Sequence, residues 1–218
     1  SALDWNSGAS VQRLGEDPTH RIMMPGQSRF LTHTSTERAL ITATAAPDNN
    51  YRALVAAFDA AERDIKVSVY YFAHLPLFTA LLRAVQRGVD VTLFLEGTRV
   101  ATRHGFPDLQ RYIAQQIEYA GRERTGNPDH GLGRAYWMRS DRTQAIGDRY
   151  WFDHSKYAII DGRTIIIGSE NYGLTGHPVD PSYGNRGWQI QIATPPGAPP
   201  LEIVRALEDV WNDDLDPE

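Results

Sequence analysis

The chain has 218 residues, 41% hydrophobic and 22% charged, a balance that fits a globular fold with a sizeable core and excludes wholesale disorder. The absence of cysteine excludes a disulfide scaffold, a thiolate nucleophile and any cysteine-held zinc or iron–sulfur site. The net charge of −5 argues against a dedicated nucleic-acid binder, but it is uneven: residues 196–218 carry one arginine against seven acids, whereas residues 97–163 carry eleven bases against eight acids.

Residues 1–48 show scattered turn and cap residues and little periodicity, and read as an irregular lead-in in which 38–44 could form one strand. From residue 49 to the end the pattern is that of a domain. Asn49 and Asn50 can cap a helix on which Leu54, Val55, Phe58 and Ala61 recur at helical spacing as far as Arg63. The β-branched and aromatic run 65–72 reads as a strand. Pro76 opens a second helix that Gly88 stops, and residues 89–95 form a second strand. Helix, strand, helix, strand in so short a stretch implies a right-handed crossover and a parallel pair.

A third helix is predicted from Pro107 to Ala120, and a short strand over 135–138 between the loops 125–133 and 140–148. Two apolar strands, 157–160 and 164–167, flank Asp161-Gly162-Arg163, a strong hairpin signal. A strand over 188–193, a stiff connector over 195–200 and an amphipathic helix over 201–212 close the chain. The expected fold class is α/β, a mixed sheet with helices on both faces and no internal repeat. No apolar run reaches the roughly 20 residues that a membrane span needs, and no signal-peptide core is present. The compartment stays open between the cytoplasm and export with a signal removed. The start at Ser1 points to a processed chain or a piece of a longer one.

The chemistry-bearing run is Asp153, His154, Ser155, Lys156 and Asp161, followed by Gly168, Ser169, Glu170 and Asn171. His154 and Lys156 stand two apart at the entry to a strand, so their side chains leave the same face. The hairpin returns Ser169 and Asn171 to the same end of the sheet. An imidazole, an ammonium, a hydroxyl and an amide then converge on one spot. Histidine is a nucleophile that is neutral near pH 7, lysine a compact charge for phosphoryl oxygens, and Ser and Asn are directional donors. The chain has only two lysines beside twenty arginines, and one of the two is Lys156. A lysine kept there suggests that a compact ammonium is wanted.

The spacing His-x-Lys-x4-Asp-x6-Gly-Ser-x-Asn, together with the strand–helix–strand of residues 65–96 and the closing Val210-Trp211-Asn212-Asp213, resembles the phospholipase D superfamily over about residues 45–214. The resemblance implies one motif-bearing half of that family's α/β/α sandwich. It implies a phosphodiesterase or phosphatidyl transferase that works through a phosphohistidine, with no metal and no cofactor. His154 would be the nucleophile or the acid/base, Lys156 and Asn171 would bind phosphoryl oxygens, and Ser169 would support them. Asp161 is carried over as a third catalytic residue, with a structural role in its tight turn weighed equally. The substrate implied is a phosphodiester, a phospholipid first; the alternatives are a nuclease acting on DNA or RNA and a non-catalytic half domain.

The family needs two such motifs and this chain has one. None of the other histidines (His20, His33, His74, His104, His130 and His177) has lysine two residues on. The second motif is expected from a homodimer mate or from a longer two-motif parent chain. Many members also carry an acid just after an Asn-Arg pair, where this chain has Gly187 after Asn185-Arg186; Glu170, or else Gln189, is the substitute that could orient the histidine. Tyr70, Tyr71, Phe72, Trp137, Trp151, Phe152 and Tyr172 are read mainly as core, with an apolar lip or stacking surface as the other use. His74 is read as a loop histidine, and Arg139, Arg142 and Arg149 as a solvated loop or an anion-recruiting one.

Overall fold

The computed structural model describes residues 10–13, 20–21, 32–96, 107–139 and 153–215, with the first two segments given as backbone strands only. In chain order the elements are β1 (Ser10–Arg13), β2 (His20–Arg21), β3 (Leu40–Ala46), α1 (Asn50–Asp59), β4 (Asp64–Val69), β5 (Phe72–Ala73), α2 (Leu75–Gln86) and β6 (Asp90–Glu96). They continue with α3 (Pro107–Ala120), α4 (Arg122–Thr125), β7 (Gly133–Arg139), β8 (Lys156–Ile160), β9 (Thr164–Gly168), β10 (Tyr172–Gly173), β11 (Gly187–Ala193) and α5 (Glu202–Leu215).

Nine strands form one mixed sheet in the order β2-β1-β7-β6-β4-β8-β9-β11-β3. The pairs β4–β6 and β6–β7 are parallel, as the α2 and α3 crossovers require, and the remaining pairs are antiparallel. One core lies between the sheet and α1, α2 and α3, built on Leu54, Phe58, Leu77, Leu81, Ile113 and Ile117 against Ile65, Val67 and Val69. A smaller core on the other face packs Leu201, Val204 and Trp211 of the α5 region against Phe94, Tyr157, Ile159 and Ile165. Helices therefore cover both faces, the α/β layering expected from the sequence.

Local departures have local causes. The single strand expected over 65–72 divides at Tyr70 and Tyr71: Tyr70 N still bonds to Ser155 O at 3.1 Å, but Phe72 and Ala73 leave to pair in parallel with Tyr172 and Gly173. Within the segment read as a lead-in, β3 borders the sheet with Leu40–Ala46 paired to Ala193–Gly187, and β1 and β2 extend the opposite edge. Asn49 stands at the N-cap of α1, yet its side chain makes no cap bond and instead accepts from Ala45 N at 2.9 Å. Residues 122–125, between the expected end of the third helix and the expected loop 125–133 and sharing only Thr125 with it, make a single helical turn closed by Gly126 at φ 68°.

The hairpin β8–β9 turns as its sequence dictates. Asp161 and Gly162 both have positive φ (56° and 60°), and Arg163 N bonds to Ile160 O at 3.0 Å. These are the dihedrals of a type I′ turn, and with Ile160 paired to Thr164 the loop takes in Arg163 as a third residue. Because β8 is antiparallel to β4 and β9, and β9 to β11, four chain ends gather at one rim: the exit of β4, the entry of β8, the exit of β9 and the entry of β11. The exit of β6, at Glu96, lies at the same rim. In sheets of this kind, ligands bind beyond the carboxyl ends of the parallel strands.

Candidate active site

His154, Lys156, Ser169 and Asn171 all belong to this rim. Their placement follows from strand alternation. Asp153 and Ser155 turn to one side of the sheet, where Ser68 Oγ donates to Asp153 Oδ2 at 2.9 Å and makes a short bond with Ser155 Oγ. His154 and Lys156 turn to the other side, and both reach the ring of Tyr70. The imidazole meets that ring edge-on at 4.9 Å between centroids, and Lys156 Nζ stands 5.7 Å from its centre. Tyr70 is thus part of the site rather than the core, whereas Phe72 and Tyr172 are buried and pack edge-to-face at 5.4 Å.

The strand entry is held from behind. Asp153 is buried, and its Oδ1 accepts from Ser155 N at 2.8 Å. Its own N–H donates to a carboxylate oxygen of Glu96, which is itself buried at the end of β6. Two buried carboxylates and two serines therefore fix the backbone from which His154 and Lys156 project. Glu96 and Ser68 were not singled out in the sequence, where each reads as an ordinary strand residue; the side-chain contact across strands that recruits them is not written in either strand alone.

Lys156 is half-buried and donates to His154 O at 2.9 Å. Burial lowers its pKa, and the negative charges of Asp153 and Glu170 push it back up. Ser169 joins the β9–β11 pairing beyond Gly168: its N–H donates to Trp188 O and its hydroxyl accepts from Trp188 N, both at 3.1 Å. Glu170 accepts from Asn185 Nδ2 at 2.9 Å.

Asn171 is fixed by a buried bolt. His177 is 2% exposed; its Nδ1 donates to Asn171 O at 3.1 Å, and its ring packs edge-on against Tyr172 at 5.2 Å. His74 is fully buried at the N-cap of α2, where Nδ1 accepts from Leu77 N and Nε2 donates to His177 O at 2.7 Å. His74 is thus a structural cap that ties α2 to the loop after Asn171. Neither histidine had a sequence signal for this role.

Burial depresses the His177 pKa to about 4. The unfolded chain, with histidine near 6.5, then binds a proton that the folded chain refuses as pH falls below 6.5. The stabilisation is complete above pH 6.5 and declines down to about pH 4, by about 3 kcal/mol at roughly 1.4 kcal/mol per unit. The expected result is a urea midpoint that falls across this window, with a His177 ring resonance that does not titrate until pH is well below 6. A ring that titrates near 6.5 would contradict the burial.

Asp161 does not join the site. It follows β8 at the opposite rim, about 16 Å beyond Lys156 at roughly 3.3 Å per residue. There its carboxylate accepts from the backbone N–H groups of Glu62, Arg63 and Asp64. The structural reading of this residue accounts for its contacts. The loop with Arg142, Arg149, Trp151 and Phe152, and the side chain of Arg139, lie outside the described residues. Among the described residues no group of three or more His, Asp or Glu side chains is placed to hold a metal ion, and no helix is long and apolar enough to cross a membrane.

The comparisons bear on the family and the fold. A family model described as cardiolipin synthase, PLD-like domain, matches residues 54–180. The fold is similar to that of Nuc from Salmonella typhimurium, a phospholipase D family member, with a TM-score of 0.58 and 19% identity over 81% of this chain and 94% of that one. It is likewise similar to NucT from Helicobacter pylori, with a TM-score of 0.55 and 14% identity over 82% of this chain and 96% of that one. No curated protein sequence matches the chain. With the family model matching more than half of its residues, the chain belongs to the phospholipase D-like superfamily.

Proposed function

We propose that the chain is a phosphodiester hydrolase or transferase in which His154 forms a covalent phosphohistidine and two copies of the chain supply the two histidines required. The observation that carries this reading is the convergence of His154 and Lys156, on one side of β8, with Ser169 and Asn171 at the same rim.

In the first step an imidazole nitrogen of one His154 attacks phosphorus. The new N–P bond forms as the P–O bond to the leaving alcohol breaks, and the second His154, as imidazolium, gives that oxygen its proton. In the second step water or an alcohol attacks phosphorus, passes its proton to the second histidine and frees the first. Lys156 meets the charge on the non-bridging oxygens, aided by the Asn171 amide; the Ser169 hydroxyl, which already accepts from Trp188 N, still has a proton to donate. No step draws on a metal or cofactor.

A phospholipid is the first substrate reading, supported by the matched family description and by a net charge of −5 that disfavours retention on duplex DNA. The test combines light scattering with assays on phosphatidylcholine vesicles and on a single-stranded oligonucleotide. The expected result is a mass near twice 24.5 kDa and cleavage of the phosphatidyl diester. Cleavage by a species of 24.5 kDa at every concentration would overturn the two-copy requirement. Cleavage of the oligonucleotide alone, falling steeply with salt, would replace the lipid by a nucleic acid.

A further inference from the structure

The Tyr70 ring lies where the alternation of β4 would not send it. Lys66 reaches Glu208 of α5, and Ser68 bonds to Asp153 and Ser155 on the same side of the sheet. An unbroken strand would send Tyr70 there too. Lys156 alternates with Ala158 and Ile160, which belong to the core under α1, α2 and α3, so it leaves β8 on the opposite side. The Tyr70 ring nevertheless meets His154 edge-on and has Lys156 Nζ over its face. The backbone fixes where this change of side occurs. Tyr70 N donates to Ser155 O at 3.1 Å, which pins the residue beside the entry of β8. Directly after it, Tyr71 O accepts from Tyr172 N at 3.0 Å, and Phe72 N donates to Gln110 Oε1 at 2.7 Å. Gln110 is buried on α3, and its Nε2 donates to Glu96 O at 3.1 Å, tying the departing chain to the end of β6. The break that turns Tyr70 towards the site is thus held from three elements.

One ring therefore touches both groups. Its centroid is 4.9 Å from that of the His154 imidazole at an interplanar angle of 65°, and 5.7 Å from Lys156 Nζ. Edge-to-face rings favour one relative orientation, and a cation over an aromatic face is attracted by the ring quadrupole. Neither contact uses the phenol hydroxyl. Of the three N–H donors of Lys156 one goes to His154 O, so the ring adds a second anchor without consuming another donor. We propose that Tyr70 is the positioning residue of the site, and that its ring fixes the His154 imidazole and the Lys156 ammonium relative to each other. This rests on the phosphodiester reading for its use, though not for its test.

The chain has two lysines, so selective labelling of lysine Cε gives two resonances, and Lys66, paired with Glu208 and Asp64, is an internal reference. The His154 ring is identified by the signal that His154→Ala removes. In the wild-type chain, cross-relaxation is expected between the ring protons of Tyr70 and His154, and its absence would overturn the proposal before any variant is made. Tyr70→Leu, which keeps apolar bulk without a ring, is expected to lower the NMR order parameters of Lys156 Cε and the His154 ring while Lys66 stays fixed. Tyr70→Phe is expected to keep both near wild type. The leucine variant should also lose kcat/KM on the order of tenfold, and the phenylalanine variant should restore it. A folded Tyr70→Leu chain with unchanged order at Lys156 and His154, or a Tyr70→Phe chain as loose as the leucine variant, would overturn the proposal. The NMR measurements need no substrate, so a ring-dependent order in a chain that cleaves no diester leaves this assignment standing while the functional reading fails.

Discussion

His154→Ala is expected to abolish diester cleavage, with a loss on the order of 10⁴-fold or more, because the reaction has no route around its nucleophile and acid. The fold should survive the change. His154 is exposed and its ring meets Tyr70 from above the sheet, and surface substitutions of this kind usually alter stability by about 0.5 kcal/mol or less. Wild-type activity should be indifferent to a chelator. Chelator-sensitive activity that persists in the alanine variant would overturn the phosphohistidine reading. A mixing experiment separates two histidines from one. If wild-type and His154→Ala chains are refolded together in equal amounts, dimers form in a 1:2:1 distribution, and only the wild-type pairs carry both histidines. Activity should then fall to about one quarter of that of the all-wild-type sample rather than one half. A linear fall would mean that each chain works alone.

Much of this arrangement is legible in the sequence because local signals agree with the tertiary solution. The period-3.6 patterns of α1 and α2, the β-branched runs of β4 and β6, and the Asp161-Gly162 turn each point to an element that the fold contains. The hairpin is decisive for the site: a three-residue turn between two five-residue strands, with Ile160 paired to Thr164, returns Ser169 to the rim where His154 begins. What the sequence does not show depends on contacts between distant segments. The run 65–72 looks like one strand, and the break at Tyr70 appears only because β10 offers Phe72 a parallel partner. That break releases the Tyr70 ring to the site. The buried His177 has no local mark, since its partners Asn171 O and His74 are set by how the loop after β10 folds back.

Gly187 shows the same limit from the other direction. In the sequence it reads as a missing acid after Asn185-Arg186. In the fold it is an opening that the Glu170 side chain fills. Asp161 could have been placed from the sequence alone by counting: five residues of strand carry it to the far rim from Lys156, beyond the reach of any side chain.

Asp161→Ala is accordingly expected to be a stability variant, costing about 4 kcal/mol. Its carboxylate accepts three backbone N–H groups, from Glu62, Arg63 and Asp64, with the closest approach 2.7 Å at Arg63. Each charge-assisted bond lost in this partly exposed setting contributes about 1 kcal/mol. Alanine at φ 56° adds about 1 kcal/mol, because a Cβ is disfavoured in the left-handed region that Asp and Asn tolerate. Asp161→Asn keeps one oxygen acceptor and that backbone tolerance, so it should cost about 1 kcal/mol. The turn these bonds secure is where β8 passes to β9, next to the α1–β4 connection, so the loss appears in the urea midpoint and not in the site. Below its unfolding midpoint, the folded fraction of Asp161→Ala should cleave diester at the wild-type kcat. A variant as stable as wild type but catalytically dead would instead place Asp161 in the reaction, through a route that its position at the opposite rim does not offer.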